Sequence, residues 1–235
     1  MIPQVLHINS SLANSTISWT TFDNEELFNK NISHKINSNL IKKFGWDQPD
    51  RISYRYNSHG FRTPEFNNTK AGLALGCSFT EGVGLPIESV WVSVLSNMLN
   101  FPIWNLGVGG SSTDCCFRLL DHYINHLSIE FVAICVPSKK RFEFFDQEGL
   151  QFVMPELKKP EYAMPYYKNW ILADENANIN QKKNLLAMQK LCDDRKIKLV
   201  YLHSSDFEML DLARDLNHHG VDSNKNFALK VLKQL

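Results

Sequence analysis

Between residues 71 and 203, short apolar runs alternate with stretches in which apolar side chains recur every three or four positions, and few folds accept such a pattern. The runs at 71–75, 101–106, 131–136 and 197–202 are strand candidates, and 131–136, apolar and small throughout and bounded by Pro137, reads as a central parallel strand buried on both faces. The segments between them carry helical stripes: Val90, Trp91, Val94, Leu95, Met98 and Leu99 within 86–99, then Phe117, Leu120, Ile124 and Leu127, then Leu185, Met188, Leu191 and Cys192 within 179–194. Two further helices are predicted at about 206–216 and 223–235. Strand–helix alternation of this kind builds a three-layer α/β/α sandwich around a flavodoxin-like, mainly parallel sheet of four to five strands. Residues 71–235 form that domain. Residues 1–70, rich in Asn and Ser with little periodicity, are expected to be an irregular arm packed on it. The Pro- and aromatic-rich stretch 139–178 interrupts the rhythm and reads as an insertion over the sheet edge, serving as a substrate lid or an edge cover.

Composition narrows the functional classes. The 25 basic and 25 acidic residues cancel, so no positive field is present to gather phosphates, and a nucleic-acid partner is not expected. No run approaches the roughly 20 apolar residues of a membrane span, and residues 1–11 lack the basic start and apolar stretch of a secretory signal. A soluble, cytoplasmic protein is the expectation. The five cysteines are scattered and odd in number, which suits a reducing compartment better than a disulfide framework. Cys115 and Cys116 have no second pair to complete a zinc site, and His122 and His126, four apart, have no acidic third ligand. No metal or organic cofactor is called for.

In open parallel sheets ligands bind beyond the carboxyl ends of the strands, so the loops after each run carry the chemistry. The first is Gly76-Cys77-Ser78-Phe79-Thr80-Glu81-Gly82. The second is Asn105-Leu106-Gly107-Val108-Gly109-Gly110, whose glycines do not complete G-x-G-x-x-G because Ser112 stands at the last position. Near the C-terminus comes Arg214-Asp215-Leu216-Asn217-His218-His219. A serine becomes a nucleophile when a base reaches it and a carboxylate orients that base. Asp215 and His218 supply such a pair; three apart, they face the same way on a helical turn. His219 competes for the role of base, and Cys77 is a neighbouring thiol better explained by packing.

These three loops, in this order, resemble the blocks of the SGNH/GDSL hydrolases. Gly76-Cys77-Ser78 is similar to the family's G-D-S with cysteine in place of aspartate, Asn105 to Gly110 to its second block, and Asp215-x-x-His218 to its last. Asn57-Ser58-His59-Gly60-Phe61-Arg62 resembles a lead-in seen in some members. The resemblance implies a serine esterase acting on small acyl groups such as O-acetyl, with Ser78 as nucleophile, His218 as base and Asp215 as its orienter. It also implies an oxyanion hole from the amides of Ser78 and Gly110. The family's third block, G-x-N-D, is replaced here by Pro137-Ser138-Lys139-Lys140-Arg141. Either Ser138 or Arg141 takes over the asparagine's donation, or Ser78 and Gly110 act alone. The missing donor leaves two other readings open: a carbohydrate-binding or structural module that kept the fold without turnover, and an O-acyltransferase.

Overall fold

The computed structural model describes residues 5–147, 149–154, 168, 170 and 173–235. Strand β3 (Ala71–Gly76) is buried along its whole length. It pairs in parallel with β4 (Ile103–Gly107) on one side and β5 (Ile129–Val136) on the other, and β8 (Lys198–His203) adds to β5, giving the order β4-β3-β5-β8. Alternate side chains leave opposite faces of the sheet. Leu73, Leu75, Val132 and Ile134 pack against α5 (Thr113–Tyr123) and α6 (Asp174–Asp193), while Ala74, Ala133, Cys135 and Val200 meet α4 (Trp91–Leu99) and α7 (Val221–Leu232). The expected three-layer sandwich is the observed one, with four strands. Each fully buried leucine on these faces contributes roughly 2 kcal/mol through loss of apolar surface from water. Gly72 is required for closeness: a Cβ there would lie 2.3 Å from the ring of Phe131.

Element boundaries shift in understandable ways. The first helix starts at Trp91, behind a 3-10 turn at Ile87–Ser89, and α6 begins at Asp174, five residues before the stripe that predicts it. The arm is more regular than its sequence suggests. It contains α1 (Glu25–Ser33), capped by Asn24 whose side chain accepts the Leu27 N–H, α2 (Lys35–Lys43), and a two-residue ribbon of β1 (Thr16–Ile17) and β2 (Tyr54–Arg55). Each helix buries only one apolar residue, Phe28 or Ile41, so no stripe announces it.

No helix forms over 206–216. After a 3-10 turn at Ser204–Asp206 the chain runs irregularly, Leu212 bridges His219, and Leu216 adopts a left-handed φ of 57°. The described part of the stretch 139–178 contributes a hairpin, β6 (Phe142–Asp146) and β7 (Gly149–Val153), that packs on α5. Glu143 fixes it there by accepting from Arg118 Nη2 at 2.9 Å and Nε at 3.2 Å. Pro155, Pro160, Pro165, Tyr162, Tyr166 and Tyr167 of the predicted insertion lie outside the described residues. No described helix is long and apolar enough to cross a membrane.

One arm residue makes stability depend on pH. His7 is 2% exposed, stacked on Phe61 at 4.2 Å, and donates from Nε2 to the His59 carbonyl at 2.9 Å, leaving Nδ1 buried without a partner among the described residues. Burial lowers its pKa from 6.5 to about 4. As pH falls below 6.5 the unfolded chain takes up the proton while the folded chain does not. Stability is therefore full above pH 6.5 and declines until about pH 4, by up to roughly 3 kcal/mol. Urea unfolding of the wild type and His7→Gln at pH 7.5 and 4.5 should show a smaller acid loss in the variant.

Candidate active site

The register of the sheet makes the site. Gly76 at the end of β3 pairs with Gly107 of β4 and with Cys135 of β5, so the loops that follow leave the sheet side by side. Gly76, with φ 152°, turns the chain sharply into α3 (Ser78–Glu81), a single turn closed by Gly82. Gly107 lets that turn lie directly on β4, since a Cβ there would stand 2.3 Å from the Glu81 nitrogen. Asn105 secures the two loops by donating from Nδ2 to the Thr80 carbonyl at 2.7 Å and accepting the Gly107 N–H at 2.9 Å. Val108 N–H and Ser111 Oγ both donate to the Gly76 carbonyl at 3.0 Å.

Ser78 thus stands as the first residue of a helical turn at the carboxyl end of the central strand. Its Oγ lies 2.8 Å from His218 Nε2, and His218 Nδ1 lies 2.5 Å from Asp215 Oδ2. An ionised carboxylate only accepts, so Nδ1 carries the proton and Nε2 is left to accept from the serine hydroxyl. The Asp215 side chain is 1% exposed and that of His218 13%. The pair does not sit on a helix as the spacing suggested. Asp215 Oδ1 instead accepts the backbone N–H groups of Asn217 at 3.1 Å and His218 at 3.0 Å, folding a tight turn that brings the imidazole over its own carboxylate. Phe79 meets the His218 ring edge-on at 5.6 Å and Phe22 does so at 6.4 Å.

His219 points elsewhere. Its Nε2 donates to the Phe207 carbonyl at 2.8 Å, and burial lowers its pKa. Cys77 is buried, and among the described residues no His/Cys/Asp/Glu group could hold a metal; His122 and His126 stack on each other at 4.4 Å.

Two amides suit a developing oxyanion. The Ser78 N–H, at the first position of α3, has no acceptor within the helix. Gly110, held at φ 72°, has an N–H without an intramolecular partner among the described residues. A Cβ on Gly110 would strike Met154 Sδ at 2.2 Å, so the end of the hairpin covers this glycine. Ser138 and Arg141 close a turn beyond β5 in which the Ser138 carbonyl accepts the Arg141 N–H at 3.1 Å.

Several residues around the site were not singled out in the sequence. Glu81, the buried last residue of α3, accepts from Gly109 N–H at 2.6 Å, Tyr56 OH at 2.7 Å and Asn9 Nδ2 at 2.9 Å. Burial pushes its carboxyl pKa up, and these donors pull against the rise. Arg62, the last residue of the lead-in, is 2% exposed and donates to the carbonyls of Gly82 at 2.6 Å, Leu85 at 2.8 Å and Ser53 at 2.9 Å. A cavity of about 270 Å³ borders this region, lined by Trp19, Phe22, Tyr56, Glu81, Val83 and Gly109 among others. A larger one of about 530 Å³ lies against Arg55, Arg62 and Glu65, and neither cavity is lined by a triad residue. The arm reaches the triad through Phe22, which faces the His218 ring.

No protein-family model and no curated protein matches the chain. Among solved structures it is similar to a protein assigned to the lipolytic G-D-S-L family from Desulfitobacterium hafniense, at 17% identity and a TM-score of 0.39 over 72% of this chain and 100% of that one. It is also similar to the psychrotrophic esterase EstA from Pseudoalteromonas, at 15% identity and a TM-score of 0.36 over 71% of this chain and 97% of that one. A GDSL-like lipase from Bacteroides thetaiotaomicron shows 13% identity and a TM-score of 0.31 over 71% of this chain and 87% of its own. Likeness this distant carries no inference about chemistry, which rests on the residues themselves.

Proposed function

We propose that this chain is a serine ester hydrolase of the SGNH/GDSL type that removes small acyl groups, such as O-acetyl, from a carbohydrate or small molecule. The observation that carries the reading is the unbroken chain from Ser78 Oγ through His218 to Asp215, with bonds of 2.8 and 2.5 Å. Ser78 Oγ attacks the ester carbonyl carbon as its proton passes to His218 Nε2. The carbonyl oxygen, now negative, is held by the Ser78 and Gly110 amides. Collapse expels the alcohol, which takes the proton from Nε2, and leaves an acyl-enzyme. Water then attacks, gives its proton to Nε2, and the acid departs as Ser78 recovers its hydrogen. Asp215 stabilises the imidazolium in both steps.

The chain's own groups move every proton in this scheme. With two backbone donors and no third-block asparagine, the hole is expected to work below the rate a third donor would allow, by about 100- to 1000-fold.

The test is to offer aryl acetate, butyrate and octanoate and, separately, an alkyl phosphonate ester that reacts with activated serines. Turnover fastest for the two-carbon ester, and one phosphonyl adduct per chain on Ser78 by peptide mass, are expected. Absence of both turnover and adduct would contradict the reading.

A further inference from the structure

The segment that carries Asp215 and His218 is irregular, so something outside it must fix its place. Arg214, immediately before Asp215, is fully buried, and its guanidinium reaches into the N-terminal arm. Nε lies 3.1 Å from both carboxylate oxygens of Asp23, Nη2 donates to Asp23 Oδ2 at 2.6 Å and to the Ser18 carbonyl at 2.9 Å, and Nη1 donates to the Pro49 carbonyl at 2.5 Å. The guanidinium also lies 3.9 Å from the centre of the Trp19 ring. Asp23 is itself held, accepting from Tyr54 OH at 2.5 Å, and Tyr54 OH accepts the Gly84 N–H at 2.8 Å. The loop returns on itself there, because the Gly84 carbonyl accepts the Arg214 N–H at 3.1 Å. Phe22, next to Asp23, faces the His218 ring. Further along, Trp46 Nε1 donates to the Leu212 carbonyl at 2.7 Å.

We infer that Asp23 is a positioning residue: through Arg214 the arm sets where Asp215 and His218 stand relative to Ser78. This inference rests on the proposed triad. A planar guanidinium gripped on several edges fixes orientation as well as position, which a single hydrogen bond would not. Simple packing would make a different demand. A buried ion pair replaced whole by apolar side chains commonly leaves a protein as stable or more so, so stability alone does not explain this arrangement.

The experiment compares wild type, Ser78→Ala, the paired replacement Asp23→Leu with Arg214→Met, and Tyr54→Phe, each assayed for kcat and KM on aryl acetate and for thermal unfolding. The paired variant leaves the Ser18 and Pro49 carbonyls and the Tyr54 hydroxyl without these partners and is expected to unfold below the wild-type temperature, while at a temperature where it is fully folded kcat falls about 10- to 100-fold with KM within threefold, as misplacement of about 1 Å would cause. Tyr54→Phe loses one of the bonds to Asp23 and should lower kcat about 3- to 10-fold by the same route. If the paired variant does not fold, Tyr54→Phe decides. Wild-type kcat in the paired variant, or in Tyr54→Phe where that alone folds, would overturn the inference. A wild type no more active than Ser78→Ala would instead overturn the triad on which it rests.

Discussion

Replacing Ser78 by alanine is expected to lower kcat on aryl acetate by about 10⁶-fold, and replacing His218 by alanine to do nearly the same, with the double variant no worse than either. The reason lies in the shared proton. In the proposed mechanism His218 Nε2 has a catalytic purpose only while it accepts from Ser78 Oγ, 2.8 Å away, and Ser78 attacks only while that acceptor is present. Removing one partner leaves the other idle, so the losses do not multiply. What remains is substrate binding and the amides of Ser78 and Gly110, the former surviving in alanine because it belongs to the backbone. In Ser78→Ala stability should hardly move, by less than about 1 kcal/mol, since the imidazole freed of its serine is partly exposed and can bond to water. Single and double variants measured at saturating substrate decide the point. Losses that multiply across the two positions would mean that Ser78 and His218 act in separate steps.

How much of this could be read from the chain follows from the range over which each feature is determined. The four strands were legible because β3 and β5 are buried on both faces and need unbroken apolar runs, and the flanking helices because each lays a continuous stripe on the sheet. The arm's helices were not. Beneath α1 lie one aromatic and Asn31, whose amide donates to the Asp215 carbonyl at 3.4 Å, so its burial is partly polar. The stretch 206–216 misled for the opposite reason. Met209, Leu210 and Leu216 have helical spacing, yet Met209 and Leu210 are more than half exposed, and Asp215 offers its side chain to the backbone amides that a helix would use. Ser78, Asp215 and His218 stood out because short motifs carry them. Asp23 lies 191 positions from Arg214, and no local pattern in the sequence joins them. Glu81 was in plain view within the first loop, but its task of holding Gly109 depends on Tyr56 and Asn9 arriving from the arm. The place of Ser138 and Arg141 depends on where the chain goes after β5, where a turn bonds the Ser138 carbonyl to the Arg141 N–H, and no local motif announces that path.

Asp215→Asn is the second large effect, expected to lower kcat by about 10⁴-fold while leaving the fold intact. Asp215 uses its two oxygens differently: Oδ1 accepts the N–H groups of Asn217 and His218, and Oδ2 accepts from His218 Nδ1. An asparagine has one oxygen and one NH₂ to put in their places. With the oxygen toward the two backbone amides, the turn is kept and NH₂ faces Nδ1. The imidazole must then accept at Nδ1 and carry its proton on Nε2, so that it presents a hydrogen to Ser78 where it should present a lone pair. With the amide flipped, Nδ1 regains its acceptor, but NH₂ is pressed against two buried N–H donors and the turn loses both bonds, at a cost of about 1–3 kcal/mol for each unsatisfied group. The first arrangement is the cheaper one, which is why the variant should fold normally and still fail as a catalyst. Two measurements separate this from loss of structure. Thermal unfolding should stay close to wild type, and reaction of Ser78 with the alkyl phosphonate ester should slow in proportion to kcat, because both need the same proton removed. A variant that kept wild-type phosphonylation while losing ester turnover would show that Asp215 acts after acylation and not in activating Ser78.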